Sequence, residues 1–394
     1  MIKKIMLIGG IYFFLTSCNK DDNNYENIPA NLYPNVEATF GSSLDLDNLD
    51  NYAAQFIPTY ITKDNSILNP VTDKGATLGR VLFYDKNLSS DNTISCSNCH
   101  VQENAFSDLA VASDGVNGTT TRHSMRLINT RFANESKFFW DERALSLELQ
   151  TTMPIKDHGE MGFSGANGDP AFGVLITKLS TIGYYKELFK FVYGSEEITE
   201  AKIQTALAQF VRSIQSFDSK YDVGRALATN DNQPFSNFTA QENQGKNLFL
   251  APPVFNGASS RTGGGVGCAG CHAAPEFDID PNTGNNGIIG TLNATGIDIT
   301  NTRAPSLRDL VKQDGTTNGP MMHTGNLATV QNTIGHYGTI NLAPGNTNLD
   351  PRLRPNGIGQ QLNLNANEVN ALIAFIRTLS GSNVYVDAKW SSPF

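Results

Sequence analysis

Cys96-Ser97-Asn98-Cys99-His100 and Cys268-Ala269-Gly270-Cys271-His272 are two copies of one pattern, C-x-x-C-H. Two thiols three residues apart on one helical turn can reach the two vinyl groups of a single porphyrin. The histidine that follows then lies under the ring as the proximal iron ligand. A thioredoxin-like redox pair or half of a zinc site would also use C-x-x-C. Both alternatives lose ground to the histidine after each pair and to the duplication. The chain has five cysteines, and the fifth, Cys18, stands far from either motif, so neither pair has further cysteines beside it to complete a Cys₄ zinc site. The pattern predicts two covalent c-type haems, attached through Cys96, Cys99, Cys268 and Cys271, with His100 and His272 on the irons.

A wider repeat surrounds the motifs. Gly79-Arg80-Val81-Leu82-Phe83 precedes the first, and Gly245-Lys246-Asn247-Leu248-Phe249 precedes the second. Downstream, the segment 206–214 is answered by 371–379. Ile203, Leu207, Phe210, Val211 and Ile214 form one apolar stripe at helical spacing, and Val369, Leu372, Ile373, Ile376 and Leu379 form the other. Asn365 with Glu368 can cap the second helix, and Gly381 can end it. Strand signals are sparse, and the Gly-rich stretches 256–270 and 282–297 read as loops. The expected fold is mostly α, with two tandem cytochrome-c-like helical domains, one haem each, and extensive loops.

The N-terminus reads Met1-Ile2-Lys3-Lys4, then an apolar run from Ile5 to Leu15, then Thr16-Ser17-Cys18. A basic start and an apolar run too short to span a ~30 Å hydrocarbon layer describe an export signal. Small residues before Cys18 resemble a bacterial lipoprotein cleavage box, in which that cysteine becomes the lipidated first residue; an ordinary signal peptide with an incidental cysteine is the alternative. The division expected is 1–17 signal peptide, 18–60 lipidated N-terminus and flexible tether, 61–232 first haem domain, 233–385 second haem domain, and 386–394 tail. The localisation expected is the cell envelope, lipid-anchored, on the periplasmic side or the cell surface. The 394 residues carry 29 Lys+Arg against 38 Asp+Glu, a net charge of −9. After loss of residues 1–17, 27 basic residues face 38 acidic ones, −11. No basic surface remains to neutralise phosphates, which argues against nucleic acid as a partner. A mean hydropathy of −0.28 excludes a polytopic membrane protein.

Between the first haem motif and the first repeat helix lie Phe138-Phe139-Trp140-Asp141-Glu142-Arg143-Ala144, Leu147-Glu148-Leu149-Gln150, Pro154-Ile155 and Glu160-Met161-Gly162. In order and spacing, from about residue 70 to 382, this constellation resembles the bacterial di-haem cytochrome c peroxidase family and its MauG-like group. The resemblance implies that Trp140 lies between the haems and supports electron transfer. It places Gln150, Pro154 and Glu160 over the first haem. There Gln150 would orient hydrogen peroxide, Pro154 shape the pocket, and Glu160 take a proton from the peroxide and return it to the leaving oxygen. It also implies a calcium ion between the domains, at the positions of His123, Asn318 and Pro320. Asn318 offers an oxygen, whereas a histidine suits Ca²⁺ poorly. Dimers occur in the family, so a homodimer is part of the expectation.

The chain departs from the ordinary peroxidase pattern twice. Family members carry a histidine seven residues before an Arg-Asn pair that caps the resting first haem. Here the pair is Arg122-His123, and Gly115-Val116-Asn117-Gly118 holds no histidine. The first haem is therefore expected to be open without reductive activation; His123 could replace the missing ligand, but a structural histidine is the preferred reading. At the second haem, Pro320-Met321-Met322-His323-Thr324-Gly325 matches a family motif whose distal ligand, usually Met, follows fourteen residues after the His. That position is Tyr337. Tyr337 as distal ligand resembles the MauG group and favours ferric iron; His336 and then Met321 or Met322 are the alternatives.

Three functions follow. The first is a peroxidase that takes electrons from a small cytochrome c or cupredoxin at the second haem and passes them through Trp140. The second is a MauG-like oxidase that modifies a partner protein; Val266 occupies the place of that group's exit tryptophan and counts against it. The third is a non-enzymatic di-haem electron-transfer lipoprotein, which has no need of Gln150 and Glu160.

Overall fold

A computed structural model describes residues 32–133, 137–279, 283–292 and 295–394. The expected signal peptide and Cys18 lie outside these residues. Among the described residues eleven α-helices carry the architecture: α1 Pro34–Phe40, α2 Asp73–Tyr84, α3 Cys96–Cys99, α4 Leu147–Thr152, α5 Phe172–Ser180, α6 Gly183–Tyr193, α7 Glu200–Ser213, α8 Lys220–Leu227, α9 Ala240–Leu250, α10 Val330–Gly338 and α11 Ala366–Arg377. Strands among these residues are confined to three two-stranded antiparallel ribbons: β1 Asp114–Gly115 with β2 Gly118–Thr119, β3 Pro253–Phe255 with β4 Arg261–Gly264, and β5 His272–Ala273 with β6 Asp278–Ile279. The fold is mostly helical, as expected. The first Gly-rich stretch is not wholly loop, since β3 and β4 pair across it around a bulge.

The sequence repeat is a packing repeat. Helix α2 crosses α7, and α9 crosses α11 in the same way. A Cβ on Gly79 would overlap the carbonyl oxygen of Ala206, and one on Gly245 would overlap that of Ala371. Each glycine lets two backbones approach to a distance no side chain would allow. Around these crossings lie two separate apolar clusters. One runs from Val36 to Ile214 and includes Leu82, Phe83, Leu207 and Phe210; the other runs from Tyr221 to Leu379 and includes Phe249, Phe277, Leu372 and Phe375.

Helix starts follow their caps. Thr72 accepts from Gly75 N, Thr199 from Lys202 N, and Thr239 and Glu242 exchange bonds in a capping box. Asn365 and Glu368 cap α11 as expected, with Glu368 N donating to Asn365 Oδ1 at 3.0 Å. The helix stops at Arg377 rather than at Gly381. The carbonyl of Thr378 is taken by Tyr221 N (2.9 Å), and Gly381 N donates to Asp309 Oδ1 (2.9 Å), so both are used to join elements.

Within the stretch 18–60 expected as a flexible tether, residues 34–40 form a packed helix, and Leu44 and Tyr52 further on are buried. Helix α1 lies on α6, Phe40 is buried against Tyr184, and both oxygens of Glu187 accept from the first turn of α1. The chain end beyond 382 also returns to the first cluster, where Val384 and Trp390 are buried. No helix among the described residues is long and apolar enough to cross a membrane.

Candidate functional site

Helix α3 is a single turn. Ser95 caps it, and Ser95 N donates to Asn98 Oδ1 (2.9 Å), which sets Cys96 and Cys99 on one side of the turn. The chain then folds back through Ala105 and Phe106, both in the left-handed region (φ 56°), so that Phe106 O meets His100 Nδ1 at 3.2 Å. The second motif reaches the same end by a different route. Gly267 (φ 74°) turns the chain into a 3₁₀ turn over Cys268–Gly270, His272 opens β5, and Phe277 (φ 54°) presents its carbonyl to His272 Nδ1 at 3.2 Å. Holding Nδ1 on a backbone carbonyl fixes the ring and assigns Nε2 to a metal. Non-glycine residues rarely adopt φ > 0, and here the strain recurs at both sites, at the residue whose carbonyl orients each histidine.

Each motif lines its own cavity. The second encloses about 560 Å³, within the range of cofactor sites, and is bordered by Cys268, Cys271, His272, Met321, Met322 and Tyr337. The first is narrower and is bordered by Cys96, Cys99, His100, Trp140, Gln150, Pro154 and Glu160. The four thiols form no disulfide. Burial pushes Cys96, Cys99 and Cys268 up to about 12. Such thiols are neutral at physiological pH, unlike the low-pKa thiolates of redox pairs and zinc sites. Two thiols one turn apart, an oriented imidazole and a cavity fit a covalently attached haem at each motif.

Glu160 stands in the first cavity with its carboxyl pushed up to about 7, first by burial and then by Asp157; Arg143 pulls the other way. Asp157 builds the turn that presents it, since its Oδ1 accepts from Gly159 N (2.8 Å) and Glu160 N (3.1 Å). The β1–β2 ribbon braces the turn from behind: Val116 N donates to Glu160 O at 2.9 Å. Gln150 lies on α4, and Pro154 follows one turn later.

Trp140 lies in the wall between the cavities and lines both. Its Nε1 donates to His123 O (2.6 Å), its carbonyl accepts from Arg303 N (2.8 Å), and its ring lies 6.3 Å from that of His323. His123 lines both cavities too. Its N donates to His323 O (2.8 Å) and its Nδ1 meets Ala110 O (3.0 Å), while Nε2 is buried without a partner. Burial lowers its pKa to about 4, so the ring is neutral. It is therefore a wall residue with one unused nitrogen, not the fully satisfied histidine expected.

On the far side of the second cavity, α10 turns Tyr337 inward. Burial, then the two cysteines of the motif, hold its hydroxyl well above the usual phenol range, and Asn286 offsets part of this. His336 points elsewhere: it does not border the cavity, and its Nε2 is engaged by Asn286 O at 2.9 Å. Successive residues on a helix face different directions, which separates the two candidates. Met322 Sδ accepts from Asn286 Nδ2 (3.2 Å) and Met321 Sδ from Thr333 Oγ1 (3.0 Å).

The calcium expectation finds no support. Pro320 borders the second cavity, but Asn318 does not; its Nδ2 donates to Asp309 O (2.8 Å) and Tyr385 OH (2.9 Å), and its Oδ1 is buried without a partner. Among the described residues no cluster of three or more His, Cys, Asp or Glu could hold a metal ion. Val266, at the place of the exit tryptophan, is 6% exposed and lines the second cavity rather than the surface.

Sequence reasoning missed the cations of the dividing wall. Arg126 and Arg303 line both cavities, and Arg122 joins Asp141 (3.4 Å) to Asp298 (2.6 Å). A weak signal was present, because Thr-Arg recurs after each motif, but Arg122 follows His100 by 22 residues and Arg303 follows His272 by 31, so spacing alone does not pair them.

Residues 73–231 match the family described as di-haem cytochrome c peroxidase. The chain is 28% identical over 331 residues to the methylamine utilization protein MauG of Methylophilus methylotrophus, covering 81% of this chain and 86% of that protein. It is 27% identical over 325 residues to the cytochrome c551 peroxidase of Nitrosomonas europaea, with 78% and 80% covered. A solved MauG-like protein associated with microbial copper homeostasis superposes with a TM-score of 0.65 at 27% identity, over 86% of this chain and 98% of that one. The diheme peroxidase BthA of Burkholderia thailandensis shares the fold at a TM-score of 0.60 and 18% identity, over 88% and 93% of the two chains. The two equivalent motif sites and these likenesses point one way: residues 73–231 match the di-haem cytochrome c peroxidase family, and the chain as a whole is similar to its peroxidase and MauG members.

Proposed function

We propose that the protein reduces hydrogen peroxide to two waters with two electrons and two protons, at the cavity that His100 and Glu160 share. The observation that carries this reading is Glu160: a carboxyl in a haem-motif cavity, pushed up to about 7, where it can both accept and donate a proton at neutral pH. When bound, a haem at His100 supplies the iron on which peroxide is activated. The Gln150 amide orients the bound peroxide, and Pro154 limits the space around it. Glu160 takes the proton from the inner oxygen and returns it to the outer one as water leaves. Trp140, lining both cavities, is the route between the His272 site and the His100 site. The net negative charge favours a cationic donor, a small cytochrome c or cupredoxin. The export signal and Cys18 support a lipid-anchored place in the cell envelope.

Glu160→Gln should lose peroxide turnover by about 10²–10⁴-fold while keeping both haems. Retained turnover removes Glu160 from the mechanism. The oxidised protein, with no histidine in 115–118, should turn over without prior reduction; a strict need for reduction contradicts the open-site reading.

Tyr337 in the second cavity favours a second reading, a MauG-like oxidation of a partner protein, because a tyrosinate ligand stabilises oxidised iron. The buried Val266 speaks against it.

A further inference from the structure

The wall between the two cavities contains a cation to which no carboxylate bonds among the described residues. Arg126 lines both cavities. Its Nη2 donates to the carbonyl of Ser306 (3.1 Å), and its Nε is buried with no partner. No carboxylate bonds to it among the described residues; Asp309 acts on it through charge alone. Burial lowers its pKa to about 10, which leaves it cationic at neutral pH. Arg308, a fully buried arginine of the core, shows the contrast: its Nη1 meets both oxygens of Asp222 at 3.0 Å. A buried guanidinium with unused donors is costly unless a carboxylate meets it. Whatever fills the cavities must therefore bring one, and each haem carries two propionates.

We propose that Arg126 is the common counter-ion of both cofactor sites, its guanidinium pairing with carboxylates of the groups in the two cavities and its charge setting both iron potentials. This rests on the two-haem reading. A fork of donors suits the task, because separate N–H groups can address separate carboxylates, which one ammonium cannot do. A positive charge shared between two sites disfavours the ferric state at each.

The test uses the holoprotein, with haem content counted per chain and both midpoint potentials followed by spectroelectrochemical titration. In Arg126→Gln both potentials should fall together with two haems retained. A shift at one haem only, or at neither, overturns the proposal. Arg126→Lys, which keeps the charge, guards against a Gln variant that fails to assemble. Its potentials should stay closer to wild type, while the propionate bending bands in resonance Raman shift at both haems. Unchanged bands at either haem overturn the proposal. Fewer than two haems in the wild-type protein would instead sink the function reading itself.

Discussion

At the scale of the residue, the site depends on how the protein holds protons near neutrality. Glu160 is identifiable in the sequence only through the spacing of the family's motifs; taken alone it is an acid in a loop. What the sequence does not display is its burial or the second charge beside it. Asp157 both shapes the turn and opposes ionisation of Glu160. Asp157→Asn keeps an acceptor at Oδ1 and removes the charge, so the carboxyl of Glu160 should ionise at lower pH. If Glu160 acts first as base, kcat/KM for peroxide rises with pH through about 7 in the wild type. In Asp157→Asn that rise should move to lower pH with the plateau unchanged; a fixed midpoint with a lower plateau would make Asp157 a purely structural residue. Tyr337 and His336 show the same limit from another side. They are neighbours in sequence, and only the orientation of α10 shows that the tyrosine borders the cavity.

At the scale of the element, most of what was legible is periodic. Ile203, Leu207, Phe210, Val211 and Ile214 are all buried on α7 and just beyond its end, and Leu372, Ile376 and Leu379 are buried on and after α11. The stripes announce these helices because each packs one face against a partner. Short helices such as α1 and α3 carry too few turns to show a period, and are fixed by caps and tertiary contacts. The loops are opaque for a related reason: Ala105, Phe106, Phe277 and Met322 take positive φ without glycine, and no propensity foretells it. Gly79 and Gly245 fall between these cases. Their repetition is visible in the sequence, but the carbonyls of Ala206 and Ala371 that demand them are visible only in the packed helices. Gly79→Ala and Gly245→Ala should each destabilise by about 1–3 kcal/mol through forced separation of the helix pair. A thermal melt that leaves Tm unchanged in either variant would show that the crossing can relax at no cost.

At the scale of the whole molecule, the sequence suggests two tandem units followed by a tail, yet the chain end belongs to the first of them. Tyr52 OH donates to Lys389 O (2.5 Å) and Tyr84 OH to Trp390 O (2.6 Å). Arg80 reaches Ser391 O (2.7 Å) and Ala388 O (3.0 Å), and Gln102 Nε2 reaches Asp387 O (2.9 Å). Trp390 is 2% exposed, with its Nε1 on Ser213 Oγ at 3.3 Å. The strap thus touches α2 and α7, which line the first cavity, and the turn after the first haem motif. From the other direction, Arg308 ties Asp222 on α8 to the carbonyl of Pro275 (2.9 Å) beside the second motif. These long-range ties couple the halves, so loss of the strap should be felt at the opposite end of the sequence. Trp390→Ala removes a buried aromatic side chain and should cost about 3–5 kcal/mol. Native-state hydrogen exchange gives the sharper reading, since protection of α2 should fall although the substitution lies more than 300 positions away. If protection fell only within 383–394 while α2 kept its rate, the strap would be a passive cover, and the first cavity would owe its shape to α2, α4 and α7 alone.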